Sequence, residues 1–263
     1  MSSNASLAFL LEGPMQSWGT GSRYQRRATD SFPSKSGVLG LIAAALGIDK
    51  HAANEAELLI QLVALHFEVY RVSRLRGREA NSILRLEDYH TIGGGYDEEI
   101  EPWARASIPR KASGGPFGTV VTRRVYLSDA TFVALLTGDR VVLETIAMRL
   151  DDPVWGVWLG RKCCLPSMPV RACIDPVPQV AIAAIMERAA SVATSGNSNS
   201  WSYGVPERVS CDISPTDSVS PQDGADTCAD EPESYGRRRY VTRTFRRGGS
   251  AGTQRGQGSM VDP

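Results

Sequence analysis

The chain has 263 residues, 42% of them hydrophobic and 22% charged, which suits one large domain or two small ones of ordinary globular composition. Basic and acidic residues balance at 29 each, so bulk charge makes no case for a polyanionic partner. No apolar run approaches the ~20 residues of a membrane span, and Met1 to Leu11 lacks the basic flank and cleavage site of a signal peptide. Membrane, secreted and fully disordered classes are set aside, and a cytoplasmic chain is expected.

Ser6 to Leu11 is a short apolar run closed by Gly13-Pro14, the length and punctuation of a strand. Residues 13–33 read as a loop. Ser34 after Pro33 can cap a helix, and KSGVLGLIAAAL predicts that helix from about Lys35 to Leu46, ending at Gly47. The helix is apolar nearly all round and should pack against a sheet. A second helical stretch from Glu55 gives way to a strand at about Ala64 to Val72. Residues 74–124 are charged and glycine-rich, with strand-like flanks at Leu84–Ile92 and Thr119–Val125, and read as a long hairpin or excursion. Ala130–Leu136 predicts a strand and Asp139–Arg149 a helix. The last apolar segment, Val154 to Cys173, is broken by Gly160 and Pro166.

This order is β-α-β, insert, β-α-β, the order of an α+β, ferredoxin-like fold. The expected domains are 1–175, carrying the insertion at 74–124, and a C-terminal region, 176–263. In that region 191–235 reads as partly disordered linker, rich in Ser, Asp, Pro and Gly, and RRRYVTRTFRR at 237–247 as a basic strand.

Charge is segregated. Residues 212–233 hold seven acids and no base, whereas 237–247 hold six arginines and no acid. A neutral total can hide a basic face. Only Lys35, Lys50, Lys111 and Lys162 are lysines. The other basic residues are arginines, suited to bidentate phosphate contacts and to stacking on bases. The five cysteines form no CxxC pair, and no histidine stands at ligand spacing from them. No cofactor or metal is expected.

Four segments carry possible chemistry. At Pro33-Ser34-Lys35-Ser36-Gly37 a cap, a lysine and a second hydroxyl meet at a helix N-terminus, where free N–H groups favour a phosphate. The competing reading is capping with close helix packing. Gln16-Ser17-Trp18-Gly19, followed by Arg23, Arg26 and Arg27, interleaves an aromatic with bases as single-stranded RNA sites do. The alternative is a tryptophan that anchors the loop. Gly160-Arg161-Lys162 is a second basic turn, preceded by Trp155 and Trp158. Tyr89 and His90 could serve metal-free RNA cleavage, but neighbours on a strand point to opposite faces. Lys111 is a third catalytic candidate.

Together these motifs resemble the CasD family of type I-E CRISPR Cascade subunits, within the RAMP superfamily. The resemblance rests on Glu12-Gly13-Pro14-Met15-Gln16-Ser17-Trp18-Gly19, on Phe32 to Leu41, on Leu46-Gly47-Ile48, on Asp88-Tyr89-His90-Thr91, on Thr122 to Phe132 and on Leu159 to Pro166. It implies an RRM-like RAMP fold with a β-hairpin thumb. It further implies a non-catalytic subunit that seats the 5′ handle of crRNA, caps the backbone subunits and contacts the large subunit. On that reading the RNA-binding residues are Gln16, Trp18, Arg23, Arg27, Ser34, Lys35, Ser36, Tyr89, His90, Arg123, Arg124, Tyr126, Arg161 and Lys162. The alternative is a metal-independent endoribonuclease using His90, Tyr89 or Lys111.

Overall fold

A computed structural model describes residues 4–21, 25–93, 101, 110–111, 113, 118–194, 201–213 and 225–248. In chain order its strands are β1 (Asn4–Glu12), β2 (Met15–Gln16), β3 (Arg26–Arg27), β4 (His66–Arg71), β5 (Arg74–Arg76), β6 (Glu79–Ala80), β7 (Leu84–Ile92), β8 (Val120–Ser128), β9 (Thr131–Asp139), β10 (Ala172–Asp175), β11 (Ser202–Tyr203), β12 (Glu207–Asp212), β13 (Ala225–Ser234) and β14 (Arg239–Arg247). The helices are α1 (Lys35–Leu46), α2 (Glu55–Val63), α3 (Arg140–Asp151) and α4 (Pro178–Thr194).

The main sheet has seven strands in the order β10-β1-β9-β4-β12-β14-β13. Its first four are antiparallel neighbours; β1, β4 and β9 fall where the sequence placed strands, whereas β10 overlaps only the end of the expected Val154–Cys173 segment, the rest of which forms no strand. β1 is buried along its whole length after Asn4, because a central strand covered on both faces must be apolar on both. Phe9, Leu11, Phe67, Phe132 and Leu136 turn to one face and pack with Val38 and Ile42 of α1, Leu59 of α2 and Ile146 of α3. Ala8, Leu10, Val133 and Leu135 turn to the other and meet Ala181, Ile182 and Ile185 of α4. α4 therefore covers the sheet face on which open RRM-like sheets carry RNA, so RNA contacts must lie on added loops and edges.

β7 and β8 form a long antiparallel hairpin, where the sequence placed its insertion. β7 is exposed nearly throughout, and β8 buries Thr122 and then, near its end, Tyr126 and Leu127. β2 and β3 flank β8 on its other side. Most of residues 94–117, and with them the middle of the expected thumb, lie outside the described residues.

The region after residue 176 differs from its sequence reading. Within 191–235, which composition assigns to linker, β12 and β13 join the main sheet, and β14 lies between them. β13 carries Pro232 and four acids, poor strand formers. It stands at the sheet edge, where proline is tolerated. Its acids face the arginines of β14: Asp226 pairs with Arg247, Glu233 with Arg239 at 2.9 Å, and Asp230 with Arg243 at 2.6 Å. The two charge blocks of opposite sign are thus one hairpin, in which Arg239, Arg243 and Arg247 pair with acids of β13.

Candidate nucleic-acid interface

The loop after β1 is built around two buried side chains. Gln16 donates from Nε2 to the carbonyls of Leu11 and Ala130, at 3.0 and 2.7 Å. It accepts from Trp18 Nε1 at 2.9 Å. Trp18 is 1% exposed, and its indole lies where a side chain at Gly37 would stand: a Cβ there would come within 2.8 Å of the ring. Gln16 and Trp18 therefore pin the loop to α1, as the anchoring reading of the tryptophan expects.

The start of α1 is likewise tied down from within the chain. Ser34 is buried and caps the helix, its Oγ accepting from Gly37 N–H at 3.2 Å. The anion that the helix N-terminus favours is supplied by the chain: the Lys35 N–H donates to Asp230 Oδ2 at 2.8 Å. The Lys35 ammonium is buried and turned inward, donating to Val63 O (3.0 Å), Asp212 Oδ2 (3.0 Å) and Glu231 Oε1 (2.8 Å). Arg243 completes the cluster, 2.5 Å from Asp212. Burial alone opposes a charged Arg243, but Asp230 and Asp212 outweigh it and raise its pKa further. The lysine and the carboxylates hold the C-terminal hairpin to the helix, and both the Lys35 ammonium and its N–H are engaged within the chain. Ser36 is half-buried at the helix start, with its carbonyl accepting from Tyr235 Oη at 2.6 Å.

The second basic turn docks on the same loop. Ser17 N–H donates to Leu159 O at 3.0 Å. Gly160 has φ 90°, and a Cβ there would overlap the Ser17 carbonyl oxygen at 1.7 Å. No other residue fits this approach. Arg161 then reaches across, donating to Val125 O (3.1 Å), Arg27 O (2.8 Å) and Ala28 O (3.2 Å). Its guanidinium lies 4.7 Å over the Tyr126 ring. Tyr126 is itself buried, and burial first, then its contact with Cys163, pushes its phenol up. Its contribution is to position Arg161. Lys162 is exposed, with its ammonium 5.6 Å over the Trp158 ring.

These pieces enclose a groove of about 420 Å³ between the loop and α1, lined by Arg27, Ser36, Trp158, Arg161, Tyr235 and Tyr240 among others. Glycines, arginines and aromatic side chains share its lining, the chemistry that holds a single-stranded nucleic acid. Burial raises the Tyr235 and Tyr240 phenols, so both stay neutral donors. Composition gives no sign of Tyr235 or Tyr240, which reach the groove because the C-terminal hairpin turns there.

The basic surface continues along β8. Parallel pairing sets Arg26 beside Arg123 and Arg27 beside Arg124. Side chains in register share a face, so each face of this strip carries an arginine pair. Arg26, Arg27 and Arg123 are exposed. Arg123 has Glu87 at 3.9 Å, and Arg124 Nε donates to Thr122 Oγ1 at 3.0 Å. Tyr89 lies opposite Arg123, and His90 opposite Thr122, so the two catalytic candidates fall on opposite faces. His90 Nδ1 stands 3.5 Å from Asp88. Lys111 is exposed, and Arg23 lies outside the described residues. Of the sequence candidates, Trp18, Arg27, Ser34, Ser36 and Arg161 line the groove, Arg123 and Arg124 extend it, and Tyr89 and His90 stand on the hairpin beyond.

The chain is similar to known proteins in sequence and fold. The family model for CRISPR-associated protein (Cas_Cas5) matches residues 6–246. The CRISPR system Cascade subunit CasD of Escherichia coli (strain K12) is 30% identical over 167 residues, 62% of this chain and 68% of that protein. A chain of a CRISPR RNA-guided surveillance complex superposes with a TM-score of 0.60 at 26% identity, covering 92% of this chain and 88% of that one. A crystal structure of a Cas protein gives 0.53 at 25% identity, with 92% of each chain covered. The family match runs from β1 almost to the end of β14, through every element that builds the groove, and this chain belongs to the CRISPR-associated Cas5 family.

Proposed function

We propose that this chain is a non-catalytic subunit of a cytoplasmic CRISPR surveillance complex. It seats the 5′ handle of the crRNA in the groove between the β1 loop and α1, and it contacts the backbone and large subunits. Family membership and the surveillance-complex relatives support the assembly. The observation that carries the RNA role is the groove with Arg27, Arg161, Trp158 and Tyr240 on its walls, continued by the arginine strip of β3 and β8. Against cleavage stands the placement of Tyr89 and His90 on opposite faces of β7, where they cannot act as base and acid on one phosphodiester.

The test uses the purified complex and a 5′-handle RNA. Arg27→Glu and Lys162→Glu should leave thermal unfolding unchanged and weaken handle binding. The slope of log affinity against log salt should fall by about 0.7 for each phosphate no longer neutralised. Unchanged affinity and slope would remove the groove from the RNA path. Incubating wild type with repeat RNA in EDTA should give no product. Site-specific cleavage abolished by His90→Ala would establish the endoribonuclease instead.

A further inference from the structure

The topology brings together three residues that sequence spacing kept apart. His66 and Glu68 alternate along β4 on the sheet face opposite Phe67 and Val69, which are buried in the α1–α2 core. β12 pairs antiparallel with β4, setting Cys211 directly across from Glu68. Cys211 is 145 residues from His66 in sequence, beyond the reach of any spacing rule.

The ligand atoms converge. His66 Nε2 is 3.6 Å from Cys211 Sγ and 3.6 Å from Glu68 Oε1, and the three atoms all lie within 4.8 Å of one another. Bonds of about 2.0–2.3 Å to a tetrahedral zinc ion place its ligand atoms roughly 3.3–3.6 Å apart. The separations therefore leave space for an ion at the centre with little rearrangement. One thiolate, one imidazole and one carboxylate form a borderline-soft set, and their two negative charges neutralise a divalent cation.

The surroundings orient the set. Tyr70 Oη donates to the far carboxylate oxygen, Glu68 Oε2, at 2.9 Å, and Arg208 reaches the same oxygen at 3.4 Å. Oε1 is left directed at His66. Partners of this kind fix a ligand's direction in metal sites. The three residues stand on paired strands of the main sheet, which hold positions more closely than loops do. None of them is fully buried, so solvent can reach the cluster and supply a fourth ligand.

We propose that His66, Glu68 and Cys211 form a three-residue site for a divalent zinc-class cation, completed by a solvent ligand. The site is separate from the RNA groove and ties β12, the first strand of the C-terminal region in the main sheet, to β4.

The probe is Co²⁺, whose thiolate charge-transfer and tetrahedral d–d bands report both ligand type and geometry. The full chain, stripped with chelator, should bind one Co²⁺ with a thiolate band, and Zn²⁺ should displace it. Zn²⁺ should also raise the unfolding temperature in a concentration-dependent way. Cys211→Ser should abolish the thiolate band, whereas Cys163→Ser, elsewhere on the surface, should leave it unchanged. Tyr70→Phe keeps all three ligands and should weaken binding about 10-fold or more. That variant tests the arrangement without touching the donor set. A wild-type chain with no thiolate band, or a band that survives Cys211→Ser, would overturn the proposal and leave a hydrogen-bonded trio.

Discussion

Removing the Lys35 ammonium leaves Asp212 and Glu231 facing each other without their shared cation. Breaking a buried pair this way costs about 3–5 kcal/mol, so Lys35→Met should lower stability by that order in thermal or urea unfolding. RNA binding measured on the folded fraction should be unchanged, because the ammonium points into the protein. Glu12 offers a test by pH. It is 4% exposed, accepts from Tyr203 at 2.8 Å, and has its pKa raised chiefly by burial. A raised folded pKa means that the protonated form favours folding. That contribution is complete below the unfolded value and disappears as pH rises through the folded one. Glu12→Gln keeps an acceptor for Tyr203 and carries no charge. It should raise the unfolding temperature at pH 7, and the gain should vanish below about pH 4.

The β7–β8 hairpin is the element with the least core of its own. Leu84, Leu86, Tyr89, Ile92 and Val120 are all exposed large side chains on it, and it rejoins the core only at Tyr126 and Leu127. Its apolar outer surface calls for a covering partner. Deleting residues 93–118 should leave a monomer whose unfolding temperature is unchanged within about 2 °C, since no described core residue is removed. The same deletion should reduce recovery of the assembled complex in co-purification. Normal assembly would show that the hairpin tip is dispensable.

The seven-stranded sheet makes one unit of what composition divides in two. Truncation after residue 206 removes β12, β14 and β13, exposes the edge of β4 and strips Lys35 of its carboxylates. The truncated chain should be insoluble or fail to unfold cooperatively by circular dichroism. Much of the first part was legible in the sequence. SLAFLL, the Ser34 cap and Gly47 mark β1 and α1, and the hairpin strand at Leu84–Ile92 could be read from its punctuation. β13 could not, because its Pro232 and acids satisfy a strand only at an edge beside the arginines of β14. The site was legible in part. Arg27 and Arg161 were found from local clustering of bases. The anchoring role of Trp18 stood only as an alternative, and the burial of Lys35 was not legible, because its partners at Asp212, Asp230 and Glu231 are set by tertiary packing. A cap motif reads alike whether a phosphate or the chain's own carboxylate fills it.

The latch between Lys35 and the C-terminal hairpin also orders events in time. Asp212 and Glu231 follow Lys35 by 177 and 196 residues. At roughly 5–20 residues per second of synthesis, the ribosome needs about ten to forty seconds to deliver them after Lys35 has been made. Throughout that interval the start of α1 has no anion and the outer edge of β4 has no neighbour. Folding around the start of α1 therefore finishes only after β12 and β13 have been made.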